Sequence, residues 1–310
     1  TIYFNNSNQY LVLSYTDKFP EPGETITGKS FQMSYGGKGA NQAVAASKLG
    51  SKVAFISKLG KDFYGTKYHE ELRRLKINIS HVTMEDNVST GIATIIVNKE
   101  GENLIVLVPG ANSYMNETDV IKAEHLISSS KLLICQLETP DVAAITAMEI
   151  AHKHSVPIIL NTAPARHNLN DKLLRLPTYI CLNETEAALI TGLQVQSEED
   201  FISVTKKLVS IGCQNVILTL GGKGVRFLEG HGDVQTIDCP QTPVIDTTGA
   251  GDGFIGALGH YLTKSEHSCL TIQEKIRRSC ILASYSVTKK GTQTSYLVKE
   301  DLNEGLFQSN

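Results

Sequence analysis

The second half of the chain alternates short, continuous apolar runs with longer stretches whose apolar residues recur at helical spacing. Residues 131–137 predict a strand buried on both faces, and 141–153 a helix. Further strands are predicted at 156–161, 179–182 and 215–220, with helices opening at Asn183 and running over 201–211. Continuous apolar strands separated by helices imply a parallel sheet covered on both sides. Right-handed crossovers then set every strand C-terminus on one edge. Open α/β sheets bind their ligands at that edge.

Two stretches break this rhythm. Residues 10–34 hold short apolar runs interrupted by Pro20, Pro22 and Gly23. Residues 90–97 and 103–108 read as the arms of a hairpin around Asn98-Lys99-Glu100-Gly101. Together they predict a small β-sheet lying off the main one, in a position to act as a lid.

Composition narrows the function without naming it. With 310 residues and 41% hydrophobic content, the chain can bury a large core. A net charge of −3 gives no global basic field, which argues against a nucleic-acid partner. No apolar run approaches the length of a bilayer span. The opening Thr1-Ile2-Tyr3-Phe4-Asn5 lacks the pattern of a signal peptide, so a cytoplasmic protein is expected. The six cysteines form no C-x-x-C pair, which fits reduced thiols and suggests neither a cysteine zinc site nor a redox motif. The sequons at Asn78 and Asn116 are then chance matches.

The strongest chemical signal is Asp246-Thr247-Thr248-Gly249-Ala250-Gly251-Asp252, followed by an apolar helical pattern from Phe254 to Leu262. Backbone N–H groups at a helix start form an anion site, and the helix dipole adds positive potential. A carboxylate beside a phosphate site repels its ligand, so Asp252 makes sense as the acceptor of a proton from an attacking hydroxyl. The competing reading, an Asp that only accepts helix-start N–H groups, is about equally good for this segment alone. A second glycine segment, Tyr35-Gly36-Gly37-Lys38-Gly39-Ala40-Asn41-Gln42-Ala43, also runs into a helix. Its Lys38 and Asn41 can hydrogen-bond hydroxyls; a tight turn with a solvated lysine is the plainer alternative. Asn183-Glu184-Thr185-Glu186 fits a capping box, or oxygen donors near Mg²⁺ and its waters. Thr219-Leu220-Gly221-Gly222-Lys223-Gly224 is either a turn between strands or a surface beneath a nucleotide. No P-loop occurs, and no predicted strand leads into a Gly-x-Gly-x-x-Gly fingerprint.

In this order and spacing the motifs resemble the ribokinase family of sugar kinases, which also holds adenosine kinase and fructokinases. The likeness runs from about Phe19 to Gln293 and includes Pro109-Gly110-Ala111-Asn112, Gln136-Leu137-Glu138 and Asn161-Thr162-Ala163-Pro164-Ala165. It implies an α/β fold: a three-layer α/β/α sandwich with a mainly parallel central sheet, built from residues 1–9, 35–88 and 109–310. It implies a small β-sheet lid from 10–34 and 89–108, which often makes a homodimer. It implies transfer of the ATP γ-phosphoryl group to the 5-hydroxyl of D-ribose, with a small sugar and ATP as the partners. By position, Asp252 matches the catalytic base, and Gly249, Ala250 and Gly251 the anion hole. Asn8, Gly37, Lys38, Asn41, Glu138 and Asp252 match sugar contacts, and Ala93, Ile95 and Ile105 the apolar lid face. Asn183, Thr219, Gly221, Gly224 and Gly251 match the ATP region, with Glu186 near Mg²⁺. Asp246, Thr248, Ser286, Gly291 and Ser295 match a monovalent-cation loop, expected to hold K⁺ and order the anion hole.

The chain departs from the family at its start. The family pattern Gly-Ser-x-Asn-x-Asp carries a sugar-binding Asp; here Asn8 matches the Asn and Tyr10 falls at the Asp. A phenol for a carboxylate removes a charge-assisted acceptor, a loss of about 1.5–3 kcal/mol. Two alternatives to ribose phosphorylation therefore stand: a kinase of this fold for another furanose or nucleoside, and a binder with weakened or lost activity.

Overall fold

The computed structural model describes residues 1–5 and 7–308. Asn6, within the expected core segment 1–9, and residues 309–310, at the end of 109–310, lie outside the described residues. The strands are β1 (Ile2–Asn5), β2 (Gln9–Tyr15), β3 (Ser30–Gly36), β4 (Val53–Gly60), β5 (Asn78–Glu85), β6 (Ile92–Val97) and β7 (Asn103–Val108). They continue with β8 (Leu132–Cys135), β9 (Ile158–Asn161), β10 (Tyr179–Asn183), β11 (Asn215–Thr219), β12 (Val225–Glu229) and β13 (Gln235–Ile237). The α-helices are α1 (Lys38–Lys48), α2 (Phe63–Arg74), α3 (Glu117–Ile121), α4 (Glu124–Ser128) and α5 (Asp141–Lys153). After them come α6 (Asp171–Arg175), α7 (Glu184–Thr191), α8 (Glu198–Ser210), α9 (Ala250–Thr263) and α10 (Ile272–Ser286).

Nine strands form one sheet in the order β13-β12-β11-β10-β9-β8-β1-β4-β5. From β11 to β5 every pairing is parallel, whereas β12 and β13 add an antiparallel edge. Along the central strands successive side chains enter different cores. Ile2 and Phe4 join a cluster with α1, α2, α9 and α10, while Tyr3 joins one with α3, α4 and α5. Leu132 and Ile134 divide from Leu133 and Cys135 in the same way. That period of two, apolar on both faces, is the pattern of a sheet sandwiched between helices.

The element boundaries differ from the sequence pattern where the site lies. The strand expected over 131–137 ends at Cys135, so Gln136 and Glu138 leave the ladder at its C-terminal edge. The helix expected from Phe254 begins at Ala250, which sets Asp252 in its first turn. Its N-cap, Gly249, has φ 77°, a left-handed conformation that glycine adopts without penalty. All six cysteines are free thiols. No helix among the described residues is long and apolar enough to cross a membrane.

The four remaining strands form a separate sheet in the order β3-β2-β6-β7. Its register decides which side chains share a face. Leu11 pairs with Ala93, which pairs with Leu107; Leu13 pairs with Ile95, which pairs with Ile105. Tyr10 pairs with Tyr35 and Ile92 and therefore points to the opposite face. Its ring packs against Tyr35, Tyr64 and Tyr68 at centroid distances of 5.0, 4.9 and 6.0 Å. It is 6% exposed, and burial pushes its phenol pKa up. The expectation that Tyr10 stands in the sugar pocket is thus corrected: it is a core residue joining the small sheet to α2. Leu11 takes the other face, its side chain lying over Gly36.

A carboxylate at position 10 would be buried among tyrosine rings with no cation beside it. Tyr10→Asp is expected to destabilise the fold by about 3–5 kcal/mol, read as a lower urea midpoint. An unchanged midpoint would show that Tyr10 is not packed as described.

Candidate active site

A cleft of about 510 Å³ opens at the C-terminal edge of the parallel strands. It is lined by Lys38 from α1, Asn161 at the end of β9, Asn183 at the end of β10 and Glu186 after it, Thr219 at the end of β11, and Gly221 and Gly224 after it. Gly249, Ala250, Gly251 and Asp252 close the other wall. Residues from distant parts of the sequence meet because parallel strands all end on one side.

Asp252 is 8% exposed, and both its oxygens are occupied. Asn41 Nδ2 donates to Oδ2 and Gln42 Nε2 to Oδ1, each at 2.9 Å. These donors are held in turn. Gln293 Nε2 donates to Asn41 Oδ1 at 3.0 Å and to the Tyr68 hydroxyl at 3.0 Å. Gln136 Nε2 donates to Gln42 Oε1. A chain of neutral amides therefore fixes the carboxylate without a cation in direct contact. The Asp does not spend itself on helix-start N–H groups. Gln42, Gln136 and Gln293 lie within the motif segments of the sequence, yet nothing in their spacing marks them as supports for Asp252.

In the first turn of α9 the Ala250 N–H donates to the Thr247 carbonyl at 3.2 Å and the Gly253 N–H to the Gly249 carbonyl at 2.8 Å, while helix geometry gives the Gly251 N–H no partner within the helix. At Gly251 nothing lies within 4 Å of the place a Cβ would occupy. Packing does not require glycine there, and the free space faces the cleft. Gly224 differs: a Cβ would lie 2.2 Å from the Ile237 carbonyl oxygen, so its glycine is set by the close approach of the end of β13. Thr219 Oγ1 donates to the Leu182 carbonyl at 3.2 Å. Gly221, beside it, begins the short turn.

Next to Asp252 the charge alternates. Burial opposes the charge on the Lys38 ammonium, but Asp252, Glu138 and Glu186 outweigh it and hold the lysine pKa above its ordinary value. Burial pushes the Glu138 carboxyl up, against the pull of Lys38. The Lys38 backbone N–H donates to Glu138 Oε2 at 2.8 Å, and the Ser7 hydroxyl donates to the same oxygen. Gly37 approaches so closely that a Cβ would lie 2.7 Å from the Asn8 Cα. Asn8 is fully buried: its Nδ2 donates to Ser57 Oγ at 2.7 Å while its Oδ1 has no partner. Glu138, Asn8 and Gly37 thus gather around Lys38, which itself lines the cleft. Ala93 is buried and Ile95 half-buried, whereas Ile105 is 55% exposed on the outer strand.

Glu186 does form the capping box. Asn183 Oδ1 accepts from the Glu186 N–H at 2.9 Å, and Glu186 Oε2 accepts from the Asn183 N–H at 3.1 Å. Thr162 Oγ1 also donates to Oε2, at 3.1 Å. Burial raises the Glu186 pKa despite these bonds. Capping and a place on the cleft wall coexist in this residue.

Beside the Gly249–Gly251 turn, Asp246 Oδ1 accepts from the Thr248 N–H and Oδ2 from the Gly291 N–H, both at 2.9 Å. Burial raises its pKa, but these bonds and Lys290 outweigh it and hold the group below the usual carboxylate range. Ser286 and Ser295 are buried and donate to the carbonyls of Ala283 and Thr292 within their own turns.

The model of the pfkB family carbohydrate kinases matches residues 8–299. A mouse ribokinase is 40% identical over 297 residues, covering 96% of this chain and 91% of that protein. A Salmonella typhi deoxyribokinase is 34% identical over 300 residues, covering 97% and 96%. The structure of an Arabidopsis thaliana ribokinase complexed with ribose and ATP superposes with a TM-score of 0.91 at 27% identity, covering 100% of this chain and 99% of that one. With residues from four sequence motifs lining one cleft and nearly the whole chain matched, this protein belongs to the pfkB family of carbohydrate kinases, phosphotransferases whose acceptor is a hydroxyl group.

Proposed function

We propose that the chain transfers the γ-phosphoryl group of ATP to the 5-hydroxyl of D-ribose, with Asp252 as base. The observation that carries this reading is the fixed Asp252 carboxylate in the same helix turn as the open Gly251 backbone. The mouse and Arabidopsis ribokinases supply the sugar and the nucleotide. Asn8, Lys38 and Glu138 hold sugar hydroxyls at one end of the cleft, with Asn41 beside them orienting Asp252. The wall from Asn183 through Thr219, Gly221 and Gly224 receives the nucleotide.

The sugar oxygen attacks the γ-phosphorus as its proton passes to Asp252. The new O–P bond forms as the bond to the β-phosphate oxygen breaks, and ADP leaves. An Asp is a weak base near an unperturbed pKa of about 3.9, so positioning supplies much of the rate. The N–H groups of Gly249, Ala250 and Gly251 stabilise charge on the transferring phosphoryl oxygens. Glu186 and Asn183 offer the oxygen donors that suit Mg²⁺ and its waters, which neutralise phosphate charge when bound. The Asp246 carboxylate with the Thr248, Ser286 and Ser295 hydroxyls is a donor set that fits K⁺ and would brace the anion-binding turn from behind.

The small sheet serves as the lid, its Ala93 and Ile95 face toward the sugar. Its outer strand exposes Leu104, Ile105, Val106, Leu107 and Val108, and β3 exposes Phe31 and Met33. An exposed apolar edge of this kind invites pairing, and a second copy of the chain is the partner we propose. Replacing Leu104 and Val106 by Lys is expected to convert dimer to monomer in light scattering. A wild-type monomer would remove the proposal.

The deciding assay follows phosphate transfer to ribose, 2-deoxyribose, fructose and adenosine, in K⁺ and in Na⁺ buffer. Ribose is expected to give the highest kcat/KM, with lower rates in Na⁺; a preference for another acceptor would overturn the substrate. Asp252→Asn is expected to lower kcat by about 10²–10⁴ while ATP still binds. Near-normal turnover would refute the base.

Gly251→Ala separates fold from function. A helix prefers Ala to Gly by up to about 1 kcal/mol, and the Cβ meets no protein atom. Thermal stability should hold or rise while turnover collapses. Retained turnover would mean that the space at Gly251 is not occupied by phosphate.

A further inference from the structure

We propose that His260, His267 and Glu266 form a binding site for a divalent transition metal, with zinc the best match, at the end of α9 remote from Asp252. His260 lies in the last turn of α9, and His267 and Glu266 lie on the short helical turn that follows. One ligand atom from each of the three lies within 4.8 Å of the others. The two imidazole rings are 5.4 Å apart between centroids.

Two independent features point to an unfilled ligand role. His260 is 2% exposed, and the Nε2 atoms of both His260 and His267 are buried without a hydrogen-bond partner. Buried polar atoms in a native fold are ordinarily paired, and an unpaired one commonly marks the place of a bound ion or water. The other nitrogen of His260 is not idle: Nδ1 lies 3.0 Å from Ser51 Oγ. With Nδ1–H donating to that hydroxyl, Nε2 carries the lone pair, the arrangement by which metal-bound histidines are oriented. Burial also keeps the ring neutral, its pKa lowered to about 3.

The ligand set selects the metal. Two imidazoles and a carboxylate suit zinc or a neighbouring transition ion; Mg²⁺ prefers an all-oxygen shell. Glu266 has a side chain 60% exposed and already stands 3.7 Å from His267 Nε2, so it is free to close on an ion. The cation would also sit at a helix C-terminus, where the dipole favours positive charge. Lys264 and Lys299 oppose it, which makes the Glu266 carboxylate a necessary ligand. Asp252 lies eight residues earlier on the same helix, about 12 Å along its axis. A metal there would anchor the far end of the helix that carries Asp252.

The test uses the full chain, stripped by chelator and free of nucleotide. Zn²⁺ is titrated by calorimetry, and Co²⁺ by its visible absorption. A single site per chain and a rise in unfolding temperature are expected. His267→Ala and Glu266→Gln should each weaken binding about a hundredfold, and Ser51→Ala about ten- to a hundredfold. Glu266→Gln alters an exposed side chain and keeps the test open if His267→Ala yields no folded protein. No binding to the wild type, or equal affinity in Glu266→Gln and wild type, would overturn the site and leave water as the partner of the two nitrogens.

Discussion

The close crossing of α1 and α9 is the constraint on which the site depends. At Gly256 a Cβ would stand 2.5 Å from the Ala45 Cβ and 2.6 Å from the Gln42 carbonyl oxygen. Only a glycine lets the two helices approach this closely. That approach brings Asn41 and Gln42 within hydrogen-bond distance of Asp252. A larger residue at position 256 would push the helices apart and leave a buried carboxylate without donors, an expensive state. The packing of small residues and the orientation of the Asp252 carboxylate are one structural fact.

Around this crossing the sheet supplies the rest. Its parallel strands end on one edge, so each strand delivers polar residues there as its ladder stops: Gln136 and Glu138 after β8, Asn161 at the end of β9, Asn183 and Glu186 at β10, Thr219 at β11. The apolar sides of the same strands enter the two cores. Burial holds the strands, and their ends carry the chemistry. Glu186 shows how tightly the two are joined, since the carboxylate that caps α7 is also part of the cleft wall.

The small sheet illustrates how one residue of register changes meaning. Matching the family pattern along the sequence sets Tyr10 at the position of a sugar-binding carboxylate. In the sheet Tyr10 faces Tyr35, Tyr64 and Tyr68, and Leu11 faces the side of Ala93 and Ile95. Strand side chains alternate, so an offset of one moves a residue to the other face. The tyrosine that looked like a damaged sugar site is instead the hydrophobic attachment of the sheet to α2. An apolar residue, Leu11, on the side of Ala93 and Ile95 leaves that face without the Asp of the family pattern. The polar oxygens near Lys38 are those of Glu138 and the unpartnered Asn8 Oδ1.

By itself the sequence determined the α/β alternation, the separate hairpin, the glycine segments at two helix starts and the family to which they point. These depend on local periodicity and on short motifs, which a linear reading sees directly. Only the tertiary structure decided the antiparallel edge of β12 and β13, the face taken by Tyr10, and the service of Gln42, Gln136 and Gln293 around Asp252. It alone brought His260 and His267 together with a ring nitrogen of each lacking a hydrogen-bond partner. Strand register and side-chain hydrogen bonds between residues as far apart as Asn41 and Gln293 are set when separate elements pack, and no spacing along the chain encodes them.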